Sequence, residues 1–204
     1  MFALVDKSDN SITRMLSGSQ GITLDGIQHP KAIFSLWTEA ERNAINIYTV
    51  EINNSKRKNT EWYVNTNVTY SFNGSKVTGS YGDATARAHA DTLFTAQDES
   101  DGKGTEGDVK DEGLKTKLIR SIKSKAEGEL NKTDWYITRK AEKNTAIPSA
   151  VSTHRDAVRS KQAEMETAIT NASDTPALET LYTYTTQEDG STTRPLGELP
   201  TKDF

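Results

Sequence analysis

The apolar side chains of this sequence change their spacing partway along the chain, and that change limits the folds open to it. Up to Tyr81 they alternate with Thr, Ser and Asn in short runs, the period of half-buried strands. From Leu114 they recur every three or four positions, the period of amphipathic helices. Between the two regimes, DESDGKGTEGDVKDEG at 98–113 holds almost no apolar residue and reads as a linker or loop. The expectation is an α+β chain in four parts. A small antiparallel β module at 1–82 precedes a short helix with an acidic, Gly-rich linker at 83–113. A helical hairpin or short bundle at 114–173 and an extended tail at 174–204 follow.

Within the first part, FALV near the start, KAIFSLW at 31–37 and NIYTVEI at 46–52 read as strands. Thr38 and Glu41 form a capping box that predicts a short helix over 39–44. Asn73-Gly74 sits between two alternating runs and predicts a tight hairpin, because glycine accepts the positive φ the turn needs. Asp83 is placed to cap a helix over 84–97.

In the second half, Leu114, Leu118, Ile119, Ile122, Ala126 and Leu130 share one helical face, with Lys and Arg on the others. Thr133 is the expected cap of a short helix through Trp135 and Ile137 that ends near Lys143-Asn144. Pro148 fits a first helical turn, so a new helix is expected near 147–172. Val151, Val158, Met165 and Ala172 recur at seven along it, with His154 and Ala168 between: a narrow stripe able to pack on the preceding helix or on a copy of itself. SDTP at 173–176 reads as its end, with one strand and a loose tail beyond.

Composition enters through the core. Only 33% of residues are Ala, Val, Ile, Leu, Met, Phe, Trp, Tyr or Cys, against about 45–50% apolar, glycine included, in ordinary domains. A chain so poor in apolar surface is expected to be completed by neighbours. Its 25 basic and 29 acidic side chains give a net charge of −4, which offers phosphate no overall attraction. Cysteine is absent, which removes disulfides, thiolate metal sites and Cys nucleophiles together. The start MFALVDKSDN has no secretory pattern and no long apolar run occurs, so the chain reads as soluble, made in a cytoplasm, with no membrane partner.

The residues point to no catalytic chemistry. His29, His89 and His154 fall in different elements, without a two-ligand spacing. Residues 97–108 resemble a calcium loop at four offsets but lack its first Asp, its apolar eighth position and its final Glu. No nucleophile elbow, phosphate-binding loop or His-Glu-x-x-His occurs, so no catalytic residue, cofactor or metal is assigned. Lys115–Lys125 and Arg139–Lys143, with Trp135-Tyr136 for stacking, fit nucleic acid; Glu127, Glu129 and Glu142 among them favour protein contact. The candidate contact residues are Trp135, Tyr136, Ile137, Val151, Val158 and Met165.

Thr133-Asp134-Trp135-Tyr136, Arg139-Lys140-Ala141-Glu142, Ala146-Ile147-Pro148 and His154 to Arg159 together resemble a helical module of bacteriophage tail proteins, over roughly residues 110–170. The resemblance implies a virion component of the tail, baseplate or fibre, made in the host cytoplasm, or a chaperone of tail-fibre assembly. It implies other tail proteins as partners, a trimer or ring of copies, and no catalytic residues. A nucleic-acid-binding module and a hydrolytic tail enzyme are the remaining alternatives.

Overall fold

A computed structural model describes residues 1–202 and Phe204. The fold is mixed α+β and divides into two compact units, Met1–Thr85 and Ala86–Phe204.

The first unit contains β1 (Phe2–Asp6), β2 (Ser11–Leu16), β3 (Ile22–Leu24), β4 (Ile27–His29), α1 (Ile33–Leu36), α2 (Glu39–Ala44), β5 (Ile47–Asn53), β6 (Tyr63–Val64), β7 (Thr69–Phe72) and β8 (Val77–Ser80). Five strands form one sheet in the order β2-β1-β5-β8-β7. It is mixed, correcting the expected antiparallel module: β5 and β8 run parallel, with Val50 opposite Val77. Alternation along β1 serves both faces of the sheet. Ala3 and Val5 pack with Tyr48, Phe72 and Val77 on one side, while Phe2 and Leu4 pack against Ile22, Ile33 and Ile47 on the other.

One local reading changes. KAIFSLW is not a strand, since Ile33, Phe34 and Trp37 lie at helical spacing and α1 carries them into the second cluster. The Asn73-Gly74 hairpin forms: Phe72 pairs with Val77, the Asn73 backbone N–H donates to the Lys76 carbonyl, and the Asn73 side chain accepts from the backbone N–H groups of Ser75 and Lys76. Gly74 supplies the positive φ of 93°. The capping box of α2 forms as expected, Thr38 accepting from the Glu41 backbone and Glu41 from that of Thr38.

After the two-residue strand β9 (Thr85–Ala86), the second unit opens with β10 (Thr92–Leu93), α3 (Ala96–Ser100) and β11 (Val109–Asp111). The helix expected over 84–97 is absent. The cap that forms is at Thr95, in a box with Asp98, and it starts a helix twelve residues after Asp83. The segment expected to be a linker is instead a pinned hairpin, β10 pairing with β11.

Then come α4 (Leu114–Asn131), α5 (Asp134–Lys143), α6 (Ser149–Asn171), α7 (Thr175–Tyr182), β12 (Thr185–Thr186) and β13 (Thr192–Thr193). Helices α4 and α6 are antiparallel. Lys115, at the start of α4, donates to the Thr170 carbonyl near the end of α6, while the Leu130 carbonyl accepts from Arg155. Ile122 and Ala126 meet a stripe of Val151, Val158, Met165 and Ile169, all buried. The extended tail is also corrected: Asp174 caps α7 with Pro176 in its first turn, Leu178 is buried, and Leu196 further on is buried too.

Gly113 shows how closely this unit is packed. It stands at the cap of α4, and a Cβ there would lie 2.3 Å from the carbonyl oxygen of Ala90. Backbone cannot yield as a flexible side chain does. Gly113→Ala is therefore expected to lower stability by about 1–3 kcal/mol, the usual range for overpacking, read as a drop in the thermal midpoint.

Candidate protein-contact site

The six candidate residues separate into two groups. Val151, Val158 and Met165 are buried inside the second unit against α4, so the stripe is core and not a surface for partners or copies. Of the two options left by its spacing, packing within the chain is the one taken, though on α4 and not on the short helix that directly precedes α6. Trp135, Tyr136 and Ile137 stand on α5, where no residue is buried.

How α5 is held explains its exposure. Thr133 is fully buried, but its hydroxyl turns back to donate to the Leu130 carbonyl instead of capping α5. Arg155 of α6 is buried, and its Nη1 lies 2.7 Å from each of the Leu130 carbonyl, the Thr133 hydroxyl and an Asp134 carboxylate oxygen. At its other end the helix stops at Asn144, whose φ of 54° is left-handed and whose N–H bonds the Lys140 carbonyl. The helix is fixed at its first turn and stands clear beyond it.

At 100° per residue, Trp135, Tyr136, Arg139, Glu142 and Lys143 share one face of α5, while Ile137 points the other way with Ala141. Trp135 is 51% exposed and Ile137 41%. The Trp135 ring stacks on Tyr136 at 3.8 Å between centroids, and the Arg139 guanidinium lies 5.7 Å from the Trp135 ring. Among the described residues Arg139, Lys140, Glu142 and Lys143 make no ion pair, so the aromatic side of α5 carries three cations against one carboxylate, a positive excess.

The β10–α3–β11 hairpin has the opposite character. Leu93 and Val109 are cross-strand partners, each 48% exposed. Around them Glu99, Glu106, Asp108 and Asp111 are exposed and make no ion pair among the described residues. Asp98 is the buried exception: the Thr95 backbone N–H, the Lys110 ammonium and the Thr95 hydroxyl hold its carboxyl at about 2. Because this lies below the ordinary 3.8, the contribution to stability is complete above that value and fades as pH falls towards 2. The Thr95 amide resonance is expected to shift over that window, and Asp98→Asn to abolish the shift.

A groove of ≈ 420 Å³ also opens on this unit, floored by Ile122, Met165 and Leu199 and edged by Lys125, Lys132 and Arg194. Arg194 is held there by Glu198 at 2.8 Å and by the rings of Tyr182 and Tyr184. Gly128 of α4 faces open space, with no atom near where a Cβ would stand.

Among the described residues, no group of three or more His, Asp or Glu side chains is placed to hold a metal ion, and no helix is long and apolar enough to cross a membrane. His154 is buried, with its ring 5.1 Å from that of Phe204. No protein-family model matches the chain, and no curated protein or solved structure is significantly similar to it.

Proposed function

We propose that the chain is a non-enzymatic structural protein of a bacteriophage tail, in a baseplate, fibre-attachment or connector position, acting through protein contacts and in several copies. The observation that carries the docking role is α5, a ten-residue helix without one buried side chain that displays Trp135 under the Arg139 guanidinium, with Lys140 and Lys143 nearby on the helix. An exposed Trp in reach of Arg is the composition of an interface anchor. The assignment to a tail rests on the motif residues themselves. Thr133, Asp134 and Arg155, which carry the resemblance, are those that fix how α5 leaves the α4–α6 pair.

Mass spectrometry of purified particles tests the reading: the chain should appear in constant ratio to the other tail proteins. Recovery from the infected lysate but not from particles would replace it with the assembly chaperone. Trp135→Ala is expected to reduce incorporation into particles while leaving the thermal midpoint within about 0.5 kcal/mol of stability, since surface changes away from packing cost little.

A further inference from the structure

We propose that α5 of one copy docks on the β10–α3–β11 hairpin of the next, so that the chain associates head to tail with itself. This rests on the reading of α5 as a docking helix and names its partner. The two surfaces complement each other in charge and in apolar content. Arg139, Lys140 and Lys143 accompany Trp135 and Tyr136 on α5 against the single carboxylate of Glu142, and none of the three cations has an ion-pair partner among the described residues. Glu99, Glu106, Asp108 and Asp111 lie in the same hairpin as the exposed Leu93–Val109 pair and likewise have none.

The hairpin region is also the strongest negative patch in the sequence, with seven carboxylates against two lysines over residues 93–112. The hairpin is built to keep its shape during docking. The Thr95–Asp98 capping box and the Lys110–Asp98 contact at 3.0 Å fix the segment that carries the free carboxylates. Two different patches meeting make a heterologous contact, which closes into a ring or continues as a filament according to the rotation between copies.

Sedimentation of the full chain at low and high salt is the first test. Self-association is expected at low salt and should weaken as salt screens the charges. Trp135→Ala should raise the dissociation constant about 30-fold, the loss typical of a central aromatic anchor. The decisive arm exchanges charges. One variant carries Arg139→Glu with Lys140→Glu, the other Asp108→Lys with Asp111→Lys, both checked for unchanged helix content. Each alone should be monomeric, and an equimolar mixture should associate again, since each then offers what the other lacks.

A wild-type chain that is monomeric at low salt overturns the proposal, as does association that persists in either variant alone. A monomer that instead binds single-stranded DNA with steep salt dependence overturns it in favour of nucleic acid. None of these outcomes touches incorporation into particles, so this inference and the tail reading fail separately.

Discussion

Val158→Asp is expected to unfold the helical unit and not merely to detach it from a neighbour. Val158 is 0% exposed in the middle of the α6 stripe, facing α4. The substitution removes buried apolar surface and sets a carboxylate where no partner can reach it. The carboxyl would have to stay protonated or drag water inward, and either cost is several kcal/mol. Against a total stability of about 5–15 kcal/mol, a loss of about 4–5 kcal/mol leaves little. The far-UV helix signal should fall and its cooperative melt should move down sharply or vanish. Unit 1 has its own two apolar clusters, so its aromatic signals, reporting Tyr48 and Phe72, should persist. Val158→Ala, with only a cavity to bear, should keep the fold at a cost of about 1–3 kcal/mol. A folded, fully helical Val158→Asp chain that had lost only its association would return the stripe to the surface.

The stripe shows where sequence reasoning runs out. A spacing of seven identifies which side of α6 is apolar, but periodicity carries no information on what covers that side. The same limit applies to composition. A third of apolar residues says nothing of their distribution: among the described residues many of the buried ones gather in two clusters in unit 1 and along the α4–α6 seam in unit 2.

Other misreadings had a legible signal. Asp174 followed by Pro176 is a helix start, cap and first-turn proline together, yet beside the end of a long helix it reads as a stop. Thr95-x-x-Asp98 makes the same reciprocal bonds as a Thr-x-x-Glu box with a shorter side chain, and that shorter side chain hides it from the usual pattern. In KAIFSLW, Ile33, Phe34 and Trp37 satisfy a helical face, and the strand propensity of the segment was overridden by packing on Ile22 and Ile47. The site was legible in part. Trp135 and Ile137 on a short polar helix were visible, whereas the hairpin opposite in charge looked like a linker. Its order depends on Asp98 meeting Lys110 across twelve residues, and no local pattern shows that meeting.

Arg155 was the least visible residue of all, since an arginine in an amphipathic helix ordinarily faces water. Its removal carries the second large effect. Arg155→Met keeps much of the aliphatic stem but removes the charged donor of the Leu130 carbonyl, which keeps the Thr133 backbone N–H and hydroxyl as donors. It also takes a bond from the buried Thr133 hydroxyl. Hydrogen bonds to a charged group contribute about 1.5–3 kcal/mol each, and these two share one Nη1, so about 2–4 kcal/mol is expected.

The ion pair with Asp134 is the minor part, because that carboxylate is 51% exposed and solvent screens it. Asp134→Asn should therefore cost no more than about 1 kcal/mol. Thermal melts of the two variants separate the contributions: near-equal losses would mean that the ion pair, and not the buried acceptors, holds the turn. Amide exchange locates the damage. In Arg155→Met the amides of α5 should exchange faster while those near Ile122 and Met165 change less, because α5 is fixed only at its first turn. Docking through Trp135 would then weaken with every surface residue of α5 unchanged, which ties the buried arginine to the exposed tryptophan.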